Sequence, residues 1–231
     1  WGGMSNAGQT CISVERIFVN EKIQNEFVEK LSVGVKSLRA GLNLDSDIGS
    51  ISVSTGLDKI QAQIQTVGDS AKIIQGNADN NNGLFHAPTI VIDPPPDSDL
   101  AQQETFGPVV SVTSVKDDAQ AVTFANNTGY GLSASVFSKN AWRAEKVASQ
   151  IRAGSVTIND VMSHYGISDL PFGGVGLSGI GRVHGEEGIK AFCMQKSYMS
   201  NRINLGPEIW WYSKYRKSEG LMRKFMKWYF G

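Results

Sequence analysis

The sequence predicts an α/β fold, a largely parallel sheet with helices on both faces. Two observations carry that expectation. Short β-branched runs alternate with helical stretches of ten or more residues, and glycine or proline punctuates almost every junction between them. The chain has 231 residues, 41% hydrophobic and 19% charged, enough apolar material for a substantial core.

The elements follow in order. Ile12 to Val19 is apolar-rich and reads as a buried helical turn running into a strand. Lys22 to Leu38 carries Ile23, Phe27, Val28, Leu31 and Val35 at helical spacing, with Asn20 placed to cap it. Gly41 to Gly49 breaks the pattern as a loop, and Thr55 to Val67 resumes it through Leu57, Ile60, Ile64 and Val67. Ala71–Gln75 is a short strand, closed by Gly76 and a polar run from Asn77 to Gly83. Ala87–Ile92 is a strand that Asp93 and three prolines end. Val109–Val115 is the most β-rich segment; Lys116–Asn126 is helical, and Leu132–Phe137 is a strand. Asn140 should cap a helix over Ala141–Ile151, which Gly154 stops before a strand at Ser155–Asn159. In such a sheet, binding loops lie at the strand C-termini.

Composition excludes several classes. Net charge is zero, so there is no general attraction to nucleic acid. Two cysteines, Cys11 and Cys193, are too few for a disulfide scaffold and point to a reducing, cytoplasmic setting. No apolar run reaches the ~18 residues of a membrane span, and there is no signal peptide. No initiator methionine is present and the chain starts in a glycine-rich turn, so it reads as a piece of a longer protein. His86, His164 and His184 are far apart and lack partners at ligand spacing, so no metal site is expected.

The chemistry concentrates at Gly8-Gln9-Thr10-Cys11. Asparagine and glycine before an apolar run suggest a tight turn that presents Cys11 at a helix start. Free backbone N–H groups and the helix dipole would favour the thiolate there, and the same amides could hold an oxyanion. A buried, inert cysteine is the alternative on residues alone. Cys193, between Phe192 and Met194, is expected to be structural. His164 is expected to be a surface loop residue, with an approach to a substrate mouth as the alternative. The run Pro171–Arg182 contains the letters G-x-G-x-x-G at 174 to 179, yet no strand leads into it. A loop in which backbone packs closely on backbone or ligand is the better account.

Five stretches together resemble the aldehyde dehydrogenase superfamily: Asn6–Cys11, Glu104–Pro108, Tyr130–Ala134, Gly154–Asn159 and Pro171–Arg182. They lie in family order over about residues 1 to 198, which makes 1–198 a catalytic domain truncated at its N-terminal side and 199–231 a C-terminal extension. The resemblance implies NAD(P)-dependent oxidation of an aldehyde to a carboxylic acid through a cysteine thiohemiacetal and thioester. Cys11 matches the nucleophile, Glu104 the carboxylate on the nicotinamide ribose, and Phe106 an apolar contact beside the cofactor. Phe172 matches a wall of the aldehyde tunnel, and Asn159 a structural support beneath the active site. A homo-oligomer is the implied assembly. The family's general-base glutamate and oxyanion-stabilising asparagine would both precede Trp1, as would nearly all of the dinucleotide-binding domain. The 231 residues alone are therefore expected to bind no NAD or NADP and to be inactive. An acylating relative using coenzyme A or phosphate, or a non-enzymatic assembly relative, are the alternatives.

From Asn201 onward seven basic residues face two acidic ones, so the tail is +5 and the remainder −5. Ser218 can cap a helix over 218–230 with Leu221, Phe225 and Tyr229 on one face and Arg223, Lys224 and Lys227 on another. Pro207 to Tyr212 adds aromatic surface. The pattern fits a helix lying on an anionic membrane; docking on its own domain or across a dimer is the competing expectation.

Overall fold

The structure, a computed structural model, describes residues 1–43, 45–78, 83–203, 206, 208 and 211–231, with 213 by its backbone only. The expected loop at 41–49, polar run at 77–83 and aromatic stretch at 207–212 therefore lie partly outside the described residues. Two compact units are present, Trp1–Cys193 and Met194–Gly231.

In the first unit, β1 (Arg16–Asn20) leads through a 3-10 turn into α1 (Gln24–Ser37), then β2 (Arg39–Ala40) and α2 (Ser54–Gln65). β3 (Lys72–Gln75), β4 (Asn77–Ala78), β5 (Thr89–Ile92) and the short α3 (Asp99–Gln102) follow. Next come β6 (Val109–Val115), α4 (Asp118–Asn126), β7 (Ser133–Val136), α5 (Ala141–Ala148), β8 (Ser155–Ile158) and α6 (Gly185–Lys190). The main sheet has the order β1-β6-β5-β3, parallel except for the antiparallel edge strand β3. β2 pairs with β4, and β7 with β8, as separate parallel ribbons.

Local chemistry explains most boundaries. The Asn140 side chain caps α5 as expected, accepting from Arg143 N at 2.9 Å, whereas the Asn20 side chain, accepting from Lys22 N at 3.1 Å, caps the 3-10 turn that precedes α1 rather than α1 itself. Asp117 caps α4 by accepting from Gln120 N at 2.8 Å. α5 stops at Ala148, short of Ile151. The buried core contains Ile60, Val67, Ile90, Val91, Val109 and Val112, with Phe27, Val28 and Leu31 of α1 packed against it. β5 and β6 are buried along nearly their whole length, as strands covered on two sides must be.

Three expectations are corrected. No helix begins at Cys11: the chain passes from a turn directly towards β1. Cys193 is exposed, and its neighbours Phe192 and Met194 are exposed too, so no apolar shell encloses it. The C-terminal helix α7 is Tyr212–Phe230, beginning six residues before Ser218. Ser218 is therefore interior, and its hydroxyl donates back to Lys214 O at 3.1 Å.

Candidate active site

The backbone from Asn6 to Gly8 is left-handed throughout, with φ of 53°, 55° and 69°. That conformation is uphill for Asn6 and Ala7, so something must hold it. Asn6 Nδ2 donates to Gln9 O at 2.9 Å, and Gln9 N donates to Asn6 O at 3.0 Å. The Gln9 side chain then ties the loop down: its Nε2 donates to Ser50 O at 3.1 Å, and its Oε1 accepts from Ser52 N and Oγ, each at 2.8 Å. Gly8 lies so close to the Gly107 carbonyl that any Cβ would collide with it. The loop before Cys11 thus rests directly on the Gly107–Pro108 turn.

Cys11 sits on the next turn, closed by Ser13 N donating to Thr10 O at 2.8 Å. The thiol is exposed while Ile12 beneath it is buried. Among the described residues the Cys11 backbone N–H has no protein acceptor, leaving it available to an oxyanion. The helix dipole expected to assist it is absent, because the turn leads towards a strand.

Glu104, Thr105 and Phe106 form the facing loop. Gln63 Nε2 of α2 donates to Glu104 O at 3.2 Å, and Ile60 packs on Gly107. The Glu104 carboxylate enters no hydrogen bond or ion pair among the described residues, so its oxygens are available to accept from a pair of hydroxyls. Phe106 is 40% exposed and left-handed, at φ 57°. Sequence reasoning missed the residue that holds this loop. Glu15 Oε1 accepts from Thr105 N at 2.9 Å and Phe106 N at 3.0 Å. Burial pushes the Glu15 carboxyl up from its ordinary value, against the pull of those two N–H bonds; Glu104 adds to the rise and Lys59 opposes it. Only the nearness of a lone Glu to the Cys11 run could have pointed to it.

A second cluster forms around Phe172. Phe172 pairs with Val183 in an antiparallel bridge and meets Tyr165 edge-on at 4.9 Å between ring centres. With His164, Leu170, Pro171 and Gly154–Val156 it lines a cavity of about 210 Å³. His164 is 7% exposed rather than a surface residue, and among the described residues both its ring nitrogens lack hydrogen-bond partners. Burial pushes its pKa down, partly offset by Asp160. Asn159, left-handed at φ 56°, accepts from Ser138 N at 2.8 Å and donates to Ser138 O at 3.0 Å. It fastens the end of β8 to the segment after β7. Gly154 is pressed against the Gly173 carbonyl, where any Cβ would collide with it. Among the described residues no group of three His, Cys, Asp or Glu could hold a metal ion.

Residues 1–198 match the description of the Aldehyde dehydrogenase family. A Mycobacterium ulcerans protein, provisionally named succinate-semialdehyde dehydrogenase (NADP+) 2, is 37% identical over 88% of this chain and 40% of its own length. The 4,4'-diapolycopene aldehyde oxidase of Methylomonas sp is 35% identical over 92% of this chain and 40% of its own. Among solved structures, betaine aldehyde dehydrogenase of Staphylococcus aureus in complex with NAD+ superposes with a TM-score of 0.83 at 31% identity, covering 91% of this chain and 43% of that one. This chain spans about 40% of the length of these curated relatives.

Proposed function

The chain belongs to the aldehyde dehydrogenase family, and from that premise we propose that it is the catalytic and C-terminal part of an NAD(P)-dependent enzyme oxidising an aldehyde to a carboxylic acid. The observation that carries this is the seating of the Cys11 loop on the turn that follows Glu104, through Gly8 and Gly107. It brings a nucleophile and an unpaired carboxylate into adjoining loops from segments far apart in sequence.

In this proposal Cys11 Sγ adds to the aldehyde carbonyl, and the resulting oxyanion is met by the Cys11 N–H. NAD or NADP, when bound, supplies the hydride acceptor. Glu104 accepts from the nicotinamide ribose hydroxyls, Phe106 lies against the cofactor, and Phe172 walls the aldehyde's path. Asn159 braces the loop that follows β8. The thioester left on Cys11 is hydrolysed by an activated water.

The test is aldehyde-dependent reduction of NAD or NADP by the whole protein, with the acid identified as product. Cys11→Ser should lower kcat by about a thousandfold or more, as loss of a covalent nucleophile does, whereas Cys193→Ser should retain activity. Equal loss in both variants, or an acyl thioester or acyl phosphate as product, rejects the proposal.

We also propose that α7 places the protein on an anionic membrane surface. At 100° per residue, Arg216, Lys217, Arg223, Lys224 and Lys227 occupy an arc of about 120°. Leu221, Met222, Phe225, Met226 and Tyr229 take the opposite side, Trp228 and Phe230 border the cationic arc, and Lys214 falls among the apolar residues. Phe225 stacks on Tyr229 at 5.8 Å, and Tyr229 meets Phe230 edge-on at 4.7 Å. Among the described residues no helix is long and apolar enough to cross a membrane; this one has the two faces of a helix lying in the interface.

A further inference from the structure

Glu15 lies four residues beyond Cys11, where the chain enters β1. Its side chain bonds the two consecutive amides of Thr105 and Phe106, neither of which belongs to a strand or helix. Its carbonyl accepts from Ser111 N at 2.8 Å and Ser111 Oγ at 3.1 Å, so main chain and side chain grip the same partner segment at two levels. A carboxylate suits the task because one oxygen can accept from both N–H groups at once.

The held residues explain the need. Thr105 is 2% exposed and serves as the buried foot of the turn, while Phe106 beside it is left-handed with its ring partly in solvent. A bulky side chain keeps that backbone only when its surroundings over-determine it. The Phe106 N–H bond to Glu15 and the Gln63 bond to Glu104 O supply that determination from two different elements. Glu15 is the one continuous with the Cys11 turn, so the position of the 104–106 turn is referred directly to the thiol.

Resting on the reading in which Glu104 and Phe106 contact the cofactor, we propose that Glu15 is a positioning residue. It sets the distance and angle between the Cys11 loop and the cofactor-holding turn, and touches neither substrate nor cofactor itself. Removing its acceptor frees Phe106 to leave the left-handed region and lets the Glu104 carboxylate wander.

The test compares Glu15→Ala, which removes the acceptor, with Glu15→Gln, which keeps an acceptor oxygen of the same reach. In the 231-residue chain, residue-resolved hydrogen exchange should show Thr105 and Phe106 losing protection in Glu15→Ala while Val110 and Val112 of β6 keep theirs; Glu15→Gln should retain most of it. In the whole protein, Glu15→Ala should raise the KM for NAD or NADP about tenfold, the effect of one lost charge-assisted contact, and by more than it lowers kcat. Glu15→Gln should recover most of that affinity. Unchanged exchange at both amides in Glu15→Ala overturns the proposal, as does a Gln variant no better than Ala or a fall in kcat with KM unmoved. If the wild-type whole protein shows no aldehyde-dependent activity, the enzymatic reading fails instead, and the exchange comparison decides the clamp by itself.

Discussion

Cys11 and Cys193 are both exposed, one on the turn closed by Thr10 and Ser13, the other just past α6 with a 3.5 Å contact from its thiol to Ile189 O. Iodoacetamide followed by peptide mass spectrometry should therefore modify both in the folded chain; a single labelled site would contradict the exposure seen for the other. The apolar letters around Cys193 misled because burial depends on what folds over a segment, which local sequence does not state. The Cys11 turn was legible, since Asn6 and Gly8 are residue types that accept left-handed backbone, but its partner Glu15 was not: nothing in the sequence marks a contact with residues 105 and 106. Glu15 also predicts a pH effect. Its folded pKa is raised above 4.5, so its contribution to stability is complete below about pH 4.5 and is lost as pH rises through the higher folded value. Thermal unfolding from pH 4 to 7 should accordingly show Glu15→Gln gaining on the wild type as pH increases. A constant difference across that range would remove the burial argument.

Helix α7 shows how far element boundaries can be read. Asn140 announced α5, and Asn20 the 3-10 turn that leads into α1, because an asparagine side chain satisfies a free N–H at a helix start. α7 begins after Trp211, which makes no side-chain cap bond, so its first turns carry no signal and the capping pattern points to Ser218 instead. The longer helix strengthens the membrane proposal: nineteen residues bring Arg216 and Lys217 onto the cationic arc. Flotation with vesicles rich in phosphatidylserine should carry the chain upward, and high salt should partly release it. Replacing the five arc cations with glutamine should leave the protein at the bottom, since each basic residue near such a surface contributes about 1 kcal/mol. Equal flotation of both forms excludes the electrostatic account, and a concentration-dependent dimer through the same face would assign it to a second copy. At α2, Ile60 is fully buried and packs on Gly107. Ile60→Ala should cost about 2–5 kcal/mol in a denaturant titration, and a value below 1 kcal/mol would mean that the loop is supported elsewhere.

Across the whole molecule, the alternation of strands and helices was readable but the strand order was not. β1 lies against β6, with Arg16 opposite Ser111, and no local pattern encodes a pairing across that distance. The cofactor proposal belongs to this scale. If Glu104 and Phe106 are the cofactor contacts that the proposal gives these 231 residues, calorimetric titration with NAD or NADP should show no binding; micromolar affinity would show that the cofactor site has been misplaced. The β1–β6 pairing has a further consequence during synthesis. A ribosome adds about 5–20 residues each second, so β1 leaves the exit tunnel several seconds before its neighbour exists. Throughout that interval its amides and carbonyls face other nascent chains as readily as water, and the reactive turn of Cys11 has nothing to sit on. The Cys11 loop is thus made well before the Gly107 turn on which Gly8 rests, and can be seated only once that turn exists.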